Sequence, residues 1–250
     1  MSEFVADWLI PDWPAPVGIK ACVTTRAGGV SVAPFDSFNL GDHVDDDPQA
    51  VAHNRSLLTS QLNTRPAWLK QVHGINVVEA SPEAVMEAVM EADASWTRTP
   101  GVACTIMTAD CLPALFCNRS GTQVAGAHAG WRGLAAGVLE AAVDSFADAP
   151  PEILVWLGPA IGPQAFEVGP EVREAFMAIH PETVEAFAPS VNTGKFMADI
   201  YQLARLRLAA HGVTAVYGGG LSTYNDERFF SYRRGARTGR FASLVWIDGV

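Results

Sequence analysis

The chain has 250 residues, 49% hydrophobic and 18% charged, which is ample material for a buried core and excludes an intrinsically disordered chain. Lysine and arginine total 17 against 27 aspartates and glutamates, a net charge of −10, which excludes a nonspecific binder of nucleic acid or anionic membrane. Six histidines (His43, His53, His73, His128, His180, His211) are too few for a multicopper oxidase site but enough for one small metal centre. The four cysteines, Cys22, Cys104, Cys111 and Cys117, form no CxxC staple, and a chain of this length folds without disulfides, so a reducing, cytoplasmic setting is expected. The N-terminus MSEFVADWLIPDWP carries Glu3 and Asp7, lacks a basic region and meets Pro11 and Pro14; no signal or transit peptide is expected. The most apolar stretch, 102–117, is interrupted by Asp110 and Pro113 and falls short of the roughly 20 residues a membrane-spanning helix needs.

In chain order, VGIKACVTT (17–25) reads as a first strand closed by the turn formers of RAGGVS. A Gly-, Asp-, Asn- and Pro-rich stretch follows, expected as an ordered loop. Pro48 then suits the first turn of a helix to about residue 61, behind Asp45, Asp46 and Asp47 at its positive end. Short β-type runs at 67–73, 76–79, 94–96, 102–108, 112–117 and 123–128 imply a mixed sheet or a pair of sheets. GLAAGVLEAAVDSF (133–146) has Leu134, Val138, Leu139, Ala142, Val143 and Phe146 at helical spacing, which predicts one helix. Further on, 153–157 reads as a strand, 170–179 as a helix opened by proline, and 198–211 as a helix ended at Gly212. Strands near 214–217, 228–232 and 243–247 close the chain. With no repeat and no long linker, the economical reading is one α+β domain over 1–250.

The sharpest chemical signal is a trio of soft or borderline ligands beside strand ends: His73 in WLKQVHG, Cys111 in MTADCLP and His128 in VAGAHAGWRG. Two nitrogens and a sulfur match a catalytic zinc with an open fourth position, as opposed to a closed four-ligand structural site. The same residues also fit a thiolate nucleophile, Cys111, with His73 or His128 as its base. A buried cysteine and two hydrogen-bonded histidines are the plain alternative. Arg26, where a strand breaks into Gly28 and Gly29, could form an anion nest or be a solvated turn arginine. Asn39 in FNLG and Asp93 in EADAS could hold a polar substrate or cap turns. Arg132, in a strand–turn–helix stretch, could fork onto a phosphate or carboxylate. The segment 228–240 holds five of 14 arginines, Arg233 among them, with Phe229, Phe230 and Tyr232 as ring faces, and could bind an anionic group or be a basic strand edge.

The motifs KQVHG, ADASW, MTADCLPALFCN, HAGWRGLAAGVLE, LGPAIGPQAFEVG and FFSYRRGARTGR, with TTRAGGVS and FNLGDHV, together resemble the YfiH family, long labelled polyphenol oxidase or laccase domain proteins. The resemblance runs from about residue 8 to residue 248. It implies α/β/β/α layers with mixed sheets flanked by helices, similar to the cytotoxic necrotizing factor catalytic domain. It implies one zinc per chain at His73, Cys111 and His128, and phosphorolysis of adenosine, inosine, guanosine and methylthioadenosine with adenosine deamination. Arg26, Arg132 and Arg233 are then candidates for holding phosphate, and Asp93 or Asp110 for relaying protons, although alternation along a strand would point Asp110 away from Cys111 unless the chain bends there. The expected partners are nucleoside and phosphate, with the chain a monomer or homodimer. A peptidoglycan-editing role, with Cys111 as a hydrolase nucleophile, is the second enzymatic reading. Copper oxidation and a non-enzymatic, zinc-stabilised binding module are the others; copper's affinity for nitrogen and sulfur ligands would explain its presence as an alternative or adventitious metal. Ser222 stands where many members carry a cysteine, so no thiol acts there in this chain.

Overall fold

Three consecutive strands, Val102–Thr108, Leu112–Asn118 and Val124–Ala129, are buried at every residue, so both of their faces must be covered. The computed structural model, which describes residues 7–87 and 89–249, shows what covers them: a second sheet on one side and helices on the other. Residues 1–6 of the N-terminal reading, and residue 250 of the single-domain reading, lie outside the described residues.

Ten strands build the two main sheets: β1 (Ile19–Val23), β2 (Arg65–Ala67), β3 (Val77–Glu79), β4 (Ala94–Thr97), β5 (Val102–Thr108), β6 (Leu112–Asn118), β7 (Val124–Ala129), β8 (Ile153–Leu157), β9 (Ala215–Gly218) and β10 (Phe241–Ile247). One sheet has the order β1-β10-β5-β2 and the other β9-β8-β6-β7-β4-β3. Both are mixed, with β2 parallel to β5, β8 to β9 and β3 to β4, and the remaining pairs antiparallel. Val23, Cys104, Leu115, Val124, Trp156, Phe241 and Val245 fill the space between the sheets.

Six helices are described: α1 (Pro48–Leu62), α2 (Pro82–Glu87), α3 (Trp131–Ala136), α4 (Val138–Asp144), α5 (Pro170–Met177) and α6 (Ile200–Ala210). Leu58 and Leu62 of α1 pack on Cys22, Ala103 and Leu244 of the four-stranded sheet. Leu134, Leu139, Phe176, Leu203 and Leu208 cover the outer face of the six-stranded sheet. The result is the α/β/β/α layering, an α+β fold. Asp47 caps α1 by accepting from the Gln49 amide at 2.9 Å, and Asp199 caps α6 by accepting from Tyr201 and Gln202 at 3.0 Å each. Among the described residues, no helix is long and apolar enough to cross a membrane.

Three sequence expectations need correction. The run at 67–73 is not one strand: Arg65–Ala67 pairs with β5, Leu69–Lys70 pairs with Met90–Glu91 in a separate sheet, and the chain leaves strand geometry before His73. The helix over 133–146 is two helices, because Gly137 takes φ 109°, a left-handed value that ends α3 and starts α4 while preserving the apolar face. The strand near 228–232 is a run of turns: Asp226 accepts from the Arg228 amide and guanidinium and Arg234 donates back to the Phe229 carbonyl, local bonds that take the place of a strand ladder. The helix α2 and a small three-stranded sheet (Glu167–Val168, Phe187–Pro189, Phe196–Ala198) carry no clear sequence pattern.

Candidate active site and metal centre

The two central strands of the six-stranded sheet bring two candidate donors together. Pro113 of β6 pairs with His128 of β7, and Leu112 with Ala129, so Cys111, one residue before β6, arrives beside the end of β7. His73 comes from the loop after Leu69–Lys70, with φ 62°, a left-handed conformation uncommon outside glycine but one that histidine adopts more readily than most residues. One donor atom from each of the three residues lies within 4.8 Å of the others, and Cys111 Sγ is 3.9 Å from His73 Nε2. The donors converge only because Gly130 has no side chain: a Cβ there would come within 2.8 Å of His73 Cδ2 and 3.1 Å of Cys111 Sγ.

Asp93 holds this arrangement. Its fully buried carboxylate accepts from the backbone amides of Val72 (3.2 Å), His73 (2.9 Å) and Gly74 (2.6 Å), and lies 2.8 Å from His128 Nδ1. Occupying Nδ1 leaves His128 Nε2 for a metal and fixes the ring orientation. Burial opposes charge on Asp93, but the hydrogen bonds from His128 and Gly74 outweigh it and lower its pKa. Burial likewise opposes ionisation of Cys111, yet the charges and hydrogen bonds of His128 and His73 bring its thiol well below the ordinary range. Conversely, the thiolate and Asp93 raise the pKa of His128 against its burial. A thiolate and two oriented imidazoles suit a soft or borderline divalent metal. Cys22, Cys104 and Cys117 are buried, and desolvation raises the pKa of each.

His73, Cys111 and His128 line a cavity of about 470 Å³. Trp131, Phe166, Ile161, Ile200 and Tyr232 give it aromatic and apolar walls, and Arg132, Arg233 and Arg240 bring positive charge. Arg132 is exposed and lies over the Trp131 ring at 4.5 Å. Arg233 donates through its guanidinium to the carbonyls of Ala165 (3.0 Å) and Glu167 (3.2 Å). Asp110, with φ 93°, is the bend that frees it from strand alternation, and its carboxylate accepts from Thr223 Oγ1 and the Arg233 amide, both at 2.6 Å.

Other sequence candidates fall outside this lining. Arg26 donates to Asp36 at 2.8 and 3.0 Å and packs on Phe230, so its charge is neutralised away from the cavity. Asn39 is fully buried and its amide is committed to Gly41, Asp46 and the Arg240 backbone. Asp93 supports the ligands from behind. Ser222 donates to Asn225 at 2.8 Å. In the arginine-rich segment, Arg228 pairs with Asp226 and Arg234 donates to the Thr223, Tyr224 and Phe229 carbonyls, so most of it is structural. Phe229 and Phe230 belong to the core between the sheets, leaving Tyr232 as the ring at the cavity. Gln71 and Trp131 line the cavity without a sequence signal beyond their residue type, and Arg240 lines it as the last arginine of the 228–240 segment.

Fold and site together define a class: an α/β/β/α protein with a two-histidine, one-cysteine group that could hold a metal ion, set in an aromatic, arginine-bearing cavity. The family model described as multi-copper polyphenol oxidoreductase laccase matches residues 20–248, and the chain belongs to that family, the YfiH family. A Pseudomonas aeruginosa protein named purine nucleoside phosphorylase is 70% identical over 242 residues, covering 96% of this chain and 98% of its own. The Escherichia coli K12 protein named purine nucleoside phosphorylase YfiH is 56% identical, with 96% and 98% covered. The crystal structure of Neisseria meningitidis protein NMB0706 superposes with a TM-score of 0.93 at 50% identity, covering 97% of this chain and 99% of its own.

Proposed function

We propose that the protein is a zinc-dependent purine nucleoside phosphorylase acting on adenosine, inosine, guanosine and methylthioadenosine, with one zinc per chain. The observation that carries the reading is the convergence of His73, Cys111 and His128 in the aromatic cavity, in a chain closely similar to proteins named for that activity. Zinc held by these three residues would supply Lewis acidity at an open coordination position. In phosphorolysis a phosphate oxygen bonds to the anomeric carbon as its bond to the purine nitrogen breaks. The bonding pair leaves with the base, which takes up a proton. Trp131, Phe166 and Tyr232 offer ring faces for the purine, while positive charge on the cavity wall holds the attacking anion. Asp93 and Asp110 are occupied as acceptors, so neither is the free carboxylate a proton relay needs. Adenosine deamination is therefore the side activity in this reading.

The test is to incubate metal-loaded protein with inosine, with and without phosphate, and to follow hypoxanthine and ribose 1-phosphate. The absence of phosphate-dependent product at full metal occupancy would refute it. A second reading, a cysteine hydrolase editing a peptidoglycan precursor, draws on the proximity of Cys111 to His73 at 3.9 Å. Chelation separates the two: it abolishes a zinc reaction and leaves a thiolate hydrolase working. For the polyphenol oxidase reading, the three donors form one group suited to a single ion, and copper would compete for that same group.

A further inference from the structure

Most arginines of this chain have their charge visibly engaged. Arg26, Arg55, Arg119, Arg207 and Arg228 face carboxylates. Arg205, Arg233 and Arg234 donate through both terminal nitrogens to backbone carbonyls. Arg240 lines the same cavity as the three metal-binding residues, but only one of its terminal nitrogens is engaged. Nη1 donates to the carbonyls of Thr238 and Gly239, each at 3.0 Å, whereas Nε and Nη2 have no hydrogen-bond partner and no ion-pair carboxylate among the described residues. Withdrawing a guanidinium from water without pairing it is costly. Burial does lower the pKa of Arg240, against the opposing pull of Cys111, Asp110 and Tyr232, yet an arginine keeps its proton.

The mount is built in advance. The Arg240 amide donates to Asn39 Oδ1 at 2.8 Å, and its carbonyl accepts from Leu40 at 3.0 Å. Asn39, fully buried, is in turn held by Gly41 and Asp46. A network spanning 201 positions of sequence thus fixes the base of one side chain while leaving half of its guanidinium open. The unused edge, Nε with Nη2, is the side of a guanidinium that accepts two oxygens of one anion in parallel.

We infer that Arg240 is the oxyanion-binding residue of the cavity, its free Nε–Nη2 edge receiving two oxygens of inorganic phosphate. That the anion is a co-substrate rests on the phosphorylase reading; that the site takes an oxyanion does not. Arg233 has spent its fork on Ala165 and Glu167, and Arg132 stands exposed over Trp131, where it attracts the anion without enclosing it.

The test compares wild type, Arg240→Lys and Arg240→Ala, all metal-loaded, with metal content and thermal unfolding as controls. The phosphate KM should rise about tenfold or more in Arg240→Lys, which keeps the charge but loses the fork, and further in Arg240→Ala, while the inosine KM stays within about twofold. Should Arg240→Ala fail to fold, Arg240→Lys decides. A phosphate KM unchanged in the folded variants overturns the inference and leaves the phosphorylase reading standing. Should wild type show no phosphate-dependent turnover, that reading fails, and calorimetric titration with inorganic phosphate decides the subsite. Phosphate binding weakened in either folded variant supports it; equal binding by all three proteins, or none by wild type, overturns it.

Discussion

At Asp93 one carboxylate accepts from the Val72, His73 and Gly74 amides and faces His128 Nδ1, so it sets the path of the loop that carries His73 and the orientation of the His128 ring. Asp93→Ala should weaken metal binding about 10- to 100-fold, measured by competition with a chromophoric chelator. Unchanged affinity would mean that the loop is held elsewhere. For Cys111, the charges of His128 and His73 hold the thiol pKa down against burial, so the thiolate is lost only as pH falls through that lowered value. In metal-stripped protein, iodoacetamide should therefore label Cys111 well below the ordinary thiol pKa of about 8.5, while Cys104 and Cys117, pushed up to about 12, stay unlabelled. Metal loading should protect Cys111, and Cys111→Ser should remove the label; a labelling profile centred near 8.5 would contradict the geometry. The three donors that converge were legible because histidine and cysteine beside strand ends carry their chemistry in their identity. The role of Asp93 was not, since it acts on amides about twenty residues upstream.

Among the elements, the break between α3 and α4 shows a local pattern overridden by packing. The apolar spacing from Leu134 to Phe146 continues across Gly137, but Arg207 reaches in from α6 at this point. Its guanidinium donates to Glu140 at 2.5 Å and to the Ala135 carbonyl at 3.2 Å, tying both short helices to α6. Arg207 is 5% exposed, so removing it strands Glu140 in a desolvated setting. Arg207→Ala should cost about 3–5 kcal/mol in urea unfolding, with the nucleoside KM of the folded fraction unchanged. A loss below about 1 kcal/mol would place the pair in the class of exposed salt bridges. The strands at 102–108 and 153–157 were legible to the residue, because continuous apolar runs between turn formers leave little choice. The segment 228–232 misled because its aromatic content resembles a strand, whereas both phenylalanines are anchors of a turn-rich loop buried between the sheets.

Across the whole molecule, most of the core between the sheets and of the two helix layers is built from side chains that do not line the donor cavity, although Ala109, Ile161, Phe166 and Ile200 belong to both. Chelation should therefore abolish nucleoside turnover while leaving the far-UV spectrum and a cooperative thermal transition; unfolding on metal removal would instead support a zinc-stabilised binding module. By itself the sequence determined the alternation of strands and helices, the acidic balance and the three donor-bearing motifs, because periodicity and side-chain chemistry are local properties of the chain. Only the tertiary structure decided which polar residues meet. It drew Arg26 and Asn39 away from the cavity, turned Asp93 into a support, and left Arg240 with an open edge. The physical reason is distance along the chain: hydrogen bonds joining Asp110 to Thr223 and Asn39 to Arg240 span 113 and 201 positions, and no local pattern records them.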